Sequence, residues 1–345
     1  MKAAYIEAHG GPEVLAYGDL PDPEVGPNDV LVRVQASALN RLDVYTRAGV
    51  RGTRREFPPP LVLGGDAAGD LEAVGDHVRE LKVGDRVVVN PKVTCGQCQR
   101  CLGGEDDLCP ASRMIGTAMD GSYAQYLRAP ASNVHVFSDQ VSYEEAASVP
   151  TTFLPMWSML VRRAELKPWE SVLVLSASSG VGSAAIQVAK KVIGAHVIAT
   201  TSSAEKASKA RELGADEVID YTTEDIVPRV KEITSGQGVD VVVDHLGTEF
   251  FEAAFNSLRP GGRYGNCGVT TGYKADLHLG AFFTRQLKMY GVFMGSKADM
   301  DQIVQMLDRG KIEPAIHRVF PLDRAAEAHR VMDELNFFGK LVLNP

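Results

Sequence analysis

Residues 171–190 read SVLVLSASSGVGSAAIQVAK, and this stretch decides the fold. Val172, Leu173, Val174 and Leu175 form a short apolar run suited to a strand buried on both faces. A turn of small residues, Ser176 to Gly182, leads into Ala184, Ala185, Ile186, Val188 and Ala189, where good helix formers begin a helix. Such a turn lets a diphosphate approach the backbone, and the helix N-terminus offers it unpaired N–H groups. The dinucleotide fingerprint G-x-G-x-x-G is only partly present. Ala177 and Ser179 stand at its first two positions and Gly182 at its third, with Gly180 beside it. By itself the segment reads equally well as a dinucleotide turn and as a tight turn of any α/β sheet.

Working outward, strands and helices alternate from residue 171 to about 266. Strands are expected at 196–200, 217–220, 240–244 and 262–266, and helices at 204–213, 223–234 and 250–258. That is the pattern of a doubly wound parallel sheet. A helical pattern also covers 144–160. Before residue 142 the texture is different: short strand-like runs at 2–6, 29–35, 85–89 and 123–127 are divided by Gly, Pro, Asn and Asp. The tail has two helical stretches around a strand at 317–320 and closes on a strand at 340–343, which suggests that it returns to the first part.

The 345 residues suit two to three domains. The net charge of −8 argues against a nucleic-acid or anionic-membrane binder. No apolar run approaches a membrane span, and Met1-Lys2-Ala3-Ala4-Tyr5 passes directly into strand-like sequence. A cytoplasmic protein is expected. Four of the five cysteines lie between Cys95 and Cys109 with spacing C-x2-C-x2-C-x7-C, formed by Cys95, Cys98, Cys101 and Cys109. Four thiolates so spaced can close a tetrahedral shell around one structural Zn²⁺. Four unliganded thiols would be an oxidation liability. An iron–sulfur cluster is the other metal reading, and the short spacing on one loop and the absence of a C-x2-C-x2-C-x3-C run followed directly by Pro argue against it.

The sequence resembles the medium-chain dehydrogenase/reductase superfamily over nearly its whole length. The resemblance is carried by KAAYIEAHGGPEVL, VRVQASALNRLDVYTRAG, LGGDAAGDLEAVGDHVRELKVGDRV, the cysteine lobe, GSYAQYL, the cofactor turn and the closing GKLVL. It implies a β-rich GroES-like catalytic domain over residues 1–150, to which 286–345 returns, with a zinc lobe at 91–112. A Rossmann coenzyme domain is implied over 151–285, with Ser179, Gly180, Val181 and Gly182 at the cofactor. A homodimer or homotetramer is implied as well. The turn is similar to the relaxed form of the quinone oxidoreductase branch.

Zinc-dependent alcohol dehydrogenases of this superfamily also carry a catalytic metal. Where they have Cys in C-x-x-D, this chain has Asn40-Arg41-Leu42-Asp43; where they have Gly-His-Glu, it has Gly64-Gly65-Asp66. Ser148-Val149-Pro150-Thr151, near the third ligand, offers no Cys, His or carboxylate. An amide and a glycine do not replace a thiolate and an imidazole, so the catalytic zinc is expected to be absent. Without that Lewis acid, a quinone or α,β-unsaturated carbonyl is the expected hydride acceptor, because its charge delocalises onto an oxygen that a donor can stabilise. The resemblance places Asn40 and Tyr45 at that oxygen, with Arg47 and Met119 lining the cleft. His245 is readable either as a cofactor-edge residue or as a strand-end histidine.

A Rossmann unit usually ends its second strand with an acid that binds the ribose 2′-OH. Here Thr200, Thr201, Ser202 and Ser203 stand in that region, followed by Lys206 and Lys209. Ser202, Ser203, Lys206 and Tyr221 resemble the adenosine site of NADPH-dependent quinone oxidoreductases, so NADPH is expected in preference to NADH. Ser203 reads equally as a helix N-cap. Two other readings remain open: a zinc-dependent alcohol dehydrogenase, and a non-enzymatic NADPH sensor on this fold.

Overall fold

A computed structural model describes residues 1–345. The chain forms two compact units: one of Met1–Thr151, Ser296–Gly310 and Pro314–Pro345, the other of Thr152–Gly295 and Lys311–Glu313. No helix is long and apolar enough to cross a membrane.

The second unit is built on a six-stranded parallel sheet. In spatial order its strands are Glu217–Asp220, His196–Thr201, Ser171–Val174, Val239–Asp244, Leu258–Asn266 and Lys288–Gly291. The chain winds outward from Ser171–Val174 to one edge, then returns to the strand's other side and winds to the opposite edge. This is the doubly wound order, with its switch point between Ser171–Val174 and Val239–Asp244. Val172, Leu173, Val174, Val241, Val242 and Val243 are fully buried, which explains why the strands read as continuous apolar runs without alternation. The expected return to the first unit at residue 286 is corrected to Ser296, because Lys288–Gly291 completes the parallel sheet by pairing with Arg263–Asn266. A short piece of tail also stays with this unit: the Gln187 amide brackets Glu313, donating to its carbonyl and accepting its N–H, both at 2.8 Å.

In the first unit, a mixed sheet runs Val134–Val136, Arg86–Val89, Asp66–Val74, Asp29–Ala38, Lys340–Asn344, Ile316–Pro321, with Tyr126–Pro130 also paired to Asp29–Ala38. A smaller sheet holds Leu15–Asp19, Lys2–Ile6 and Leu61–Val62. The tail strand Lys340–Asn344 lies antiparallel to Asp29–Ala38, with Val342 opposite Ala38. On the other side of Asp29–Ala38, Ala38 faces Asp66. These two registers bring Asn40, Asp66 and Lys340 to one end of three neighbouring strands. Apolar side chains seal that end: Leu39, Leu61, Leu63, Phe320 and Leu341 share one core cluster.

Two expected elements are displaced. The strand expected at 123–127 forms at Tyr126–Pro130, and Tyr123 is fully buried ahead of it. The helix expected over 144–160 is divided into Tyr143–Ala147 and Pro150–Trp157, followed by wide turns over Ser158–Arg163. Pro150 has no N–H to donate and is suited to restarting a helix.

The turn after Ser171–Val174 requires one glycine for close approach. A Cβ on Gly182 would sit 2.1 Å from the Ser176 carbonyl oxygen. Gly182→Ala must therefore push the helix off the turn, at about 1–3 kcal/mol. The thermal midpoint should fall by several degrees, and an unchanged midpoint would contradict the close approach.

Candidate functional site

The first group of candidate residues lies along the carboxyl edge of the parallel sheet. Ser179 caps the helix Gly180–Gln187, its Oγ accepting from Gly182 N at 2.8 Å and donating to Ser176 O at 3.0 Å. Ser176 holds a left-handed φ of 50° to make this turn. Across the switch point, His245 Nε2 lies 3.0 Å from both Ser179 Oγ and Leu175 O. Burial lowers the pKa of His245, which favours the neutral ring. His245 therefore braces the turn through Ser179.

Along the same edge, Ser203 caps the helix Ala204–Leu213, accepting from Lys206 N at 3.3 Å. Its reading as an N-cap therefore holds in the fold. Thr200 Oγ1 accepts from Ser176 N, whereas Thr201 Oγ1 is buried without a partner. Tyr221 follows the next strand, its N–H donating to Thr201 O and its ring packing edge-on to Phe250 at 5.2 Å. The turn and these hydroxyls are thus on one edge of one sheet, the region where doubly wound folds bind nucleotides.

A second group belongs to the first unit and begins at the helix Arg41–Ala48. Asn40 is its N-cap, and the Asn40 N–H donates to Asp43 Oδ2 at 2.7 Å. The Asn40 side chain points into a sealed polar cluster. Its Nδ2 donates to Asp66 Oδ2 at 2.9 Å and to Ala38 O at 3.3 Å, and its Oδ1 accepts from Lys340 Nζ at 2.5 Å. The expected role of Asn40 as a donor to substrate is corrected by this geometry, because both amide protons already have acceptors. Tyr45, one helical turn on, is half-buried. Its Oη accepts from Arg51 Nη1 at 2.9 Å, and the Arg51 guanidinium lies over its ring, 4.2 Å from the centroid. The phenolic proton therefore remains for another acceptor.

Asp66 is fully buried, and Thr151 donates to it through Oγ1 at 2.6 Å and N at 3.3 Å. Lys340 Nζ lies 3.6 Å from Asp66 Oδ2 and donates to Leu39 O at 2.7 Å. Burial works against both charges, raising the carboxyl of Asp66 and lowering the ammonium of Lys340, and each is the largest charge opposing that shift in the other. Burial likewise pushes Asp43 up to about 7. The positions of Asn40, Asp66 and Thr151 are thus filled by mutual hydrogen bonds and one lysine. Sequence reasoning missed Lys340, Tyr123 and His329. The signal for the first was a charged residue opening the otherwise apolar strand KLVLN.

The four cysteines form a third, separate group. Sγ separations are 3.5 Å for Cys98–Cys101, 3.6 Å for Cys95–Cys109, 3.9 Å for Cys95–Cys101 and 4.0 Å for Cys98–Cys109. A tetrahedron with Zn–S bonds near 2.3 Å has edges of about 3.8 Å, so the donor set fits zinc with no open position. Backbone N–H groups of Gln97 and Cys98 lower the Cys95 thiol, whereas burial and the neighbouring thiols raise that of Cys101, so without a metal the four thiols of the cluster do not share one charge state. It is the only cluster of three or more potential ligands in the chain.

Residues 180–309 match the zinc-binding dehydrogenase family and residues 26–139 the alcohol dehydrogenase GroES-like domain family. The chain is 32% identical to an NAD-dependent alcohol dehydrogenase of Saccharolobus solfataricus, over all of both chains. It is 33% identical to a quinone oxidoreductase of Pseudomonas aeruginosa, covering 100% of this chain and 99% of the other. A crystal structure of an NAD-dependent alcohol dehydrogenase superposes with a TM-score of 0.96 at 44% identity, over 100% of both chains.

Lys340→Met leaves Asp66 buried without its counter-charge, a change that typically costs about 3–5 kcal/mol. Chemical denaturation should show a loss of that size, and a loss below about 1 kcal/mol would mean that the pair is not charged.

Proposed function

Because the chain belongs to the medium-chain dehydrogenase/reductase superfamily and is an NAD(P)H-dependent oxidoreductase, we propose that it passes hydride from NADPH to a quinone or an α,β-unsaturated carbonyl without a catalytic metal. The observation that carries this reading is the cluster Asn40–Asp66–Thr151–Lys340. Its polar groups are satisfied by one another, and a buried ammonium stands where a metal would need thiolate and imidazole ligands.

When bound, the nicotinamide supplies the hydride. The turn at Ser179–Gly182 offers backbone N–H groups at the start of Gly180–Gln187 to a diphosphate. Ser202, Ser203 and Lys206 supply donors, and no carboxylate, at the end of His196–Thr201; Thr201 Oγ1 adds a buried hydroxyl with no partner in the fold. A 2′-phosphate suits that composition better than a bare ribose does. Tyr45 is the group placed to donate to the substrate oxygen as charge develops there, with Arg51 supporting its oxygen. Asn40 acts behind it, holding the start of the Arg41–Ala48 helix. Cys95, Cys98, Cys101 and Cys109 hold one zinc as a structural cross-link. Assembly as a homodimer or homotetramer belongs to the same reading. It is supported by Leu279 and Phe283, 68% and 70% exposed on one short helix.

A substrate panel tests this reading. NADPH oxidation with 9,10-phenanthrenequinone or a simple enone should exceed ethanol oxidation with NADP⁺ by orders of magnitude, and Tyr45→Phe should lower turnover by about 10²-fold. Metal analysis should return one zinc per chain. Two zincs with alcohol turnover would make the protein a zinc-dependent alcohol dehydrogenase, and no turnover of any kind would leave the sensor reading. Lys206→Glu should raise KM for NADPH at least tenfold and leave that for NADH nearly unchanged.

A further inference from the structure

His329 and Tyr123 are fully buried in the first unit and take no part in the chemistry above. They link two charges. Arg47, 4% exposed, donates from Nη1 to His329 Nδ1 at 3.0 Å; its Nη2 donates to Asp333 and its Nε to Gly10 O. His329 Nε2 lies 3.3 Å from Tyr123 Oη, which lies 3.3 Å from Asp43 Oδ2. Asp43 Oδ2 also accepts the Asn40 N–H, the bond that caps the Arg41–Ala48 helix.

Only one direction of protons satisfies this chain. Arginine has donors alone, so His329 Nδ1 must be the acceptor and Nε2 must carry the proton. A doubly protonated ring is excluded, in keeping with burial and Arg47 pushing His329 down to about 3. His329 therefore donates to Tyr123 Oη, and Tyr123 gives its one proton to Asp43. A proton on Asp43 Oδ2 would set two O–H groups against each other and weaken the oxygen that the Asn40 N–H donates to, so the arrangement favours an unprotonated Oδ2.

We propose that His329 and Tyr123 are positioning residues: driven by the Arg47 guanidinium, they hold Asp43 as the carboxylate that caps and aims the helix carrying Tyr45. The inference rests on Tyr45 being the reacting group of the proposed function. The charged and titratable groups around Asp43 are Tyr123, Lys340 and Asp66, from three other elements. Burial raises Asp43 most and Asp66 adds to it; the Asn40 N–H, Lys340 and, last, the Tyr123 hydroxyl favour its charge.

The test uses the full chain with Tyr123→Phe and His329→Gln; glutamine can accept from Arg47 and donate to Tyr123. Asp43 binds its proton more tightly when folded, since burial lifts it to about 7. Its burial therefore erodes stability as pH rises from about 4 to about 7 and no further above. Removing the Tyr123 donor lifts the folded value again and extends the erosion upward. Tyr123→Phe also leaves the buried His329 N–H without an acceptor, a deficit present at every pH; beyond that constant loss, its thermal midpoint should fall further below wild type above pH 7 than at pH 5. The acid limb of kcat/KM should move up by about one pH unit. His329→Gln, which keeps the donor to Tyr123, should leave both profiles near wild type. A deficit of equal size at every pH would overturn the chain, since that is what a packing role gives. A moved stability window without turnover of quinone or enone by wild type would support the chain and sink the substrate reading instead.

Discussion

Two carboxylates and one ammonium are sealed inside the first unit, and their neutralisation fixes almost everything around them. Asp43, Asp66 and Lys340 have no solvent to spread their charge, so each must be held by named donors and acceptors. Those partners come from separate parts of the chain: the start of a helix, two central strands, Thr151 and the last strand. The requirement doubles as a register lock. Slipping Lys340–Asn344 by one residue against Asp29–Ala38 would turn Lys340 to the opposite face and leave Asp66 without its buried cation.

The two units solve the problem of presenting a site by different means. In the parallel-sheet unit the sheet interior is mostly apolar, with Asp244 and Gln187 as buried polar exceptions, and the groups offered to a ligand are backbone N–H groups and short hydroxyls along one edge. Precision there comes from close approach, with Gly182 and the left-handed Ser176 bringing helix and turn together. In the first unit precision comes from satisfied polar groups inside the core. A cluster of that kind rigidifies only when complete, and every polar end of the Asn40 amide is accounted for.

Much of this was legible in the sequence. The parallel strands announced themselves because both faces are buried, and the helix Ala204–Leu213 and strand Glu217–Asp220 lie where periodicity put them. The four cysteines were legible because metal-ligand spacing is local. The network was not. Nothing in GSYAQYL or AHRVM says that Tyr123 meets His329, because that contact spans 206 positions. Asn40 was misread for the same reason: its partners Asp66 and Lys340 lie 26 and 300 positions away. The division of the helix at residue 150 was legible in Pro150, but the start of the strand at Tyr126 was not, because the backbone of Tyr123 and Ala124 pairs with Leu63, Ala4 and Ala3, which are distant in the chain.

The tail strand Lys340–Asn344 carries a kinetic consequence. The parallel-sheet unit is nearly continuous in the chain, so it can close as soon as residue 295 or so has been made. The first unit begins earlier and finishes later. Until Lys340 arrives, Asp43 and Asp66 have no buried cation between them, and the strand Asp29–Ala38 lacks a neighbour. The two units can therefore be completed in an order different from that of their synthesis: the middle of the chain can set first, while the beginning waits for the end.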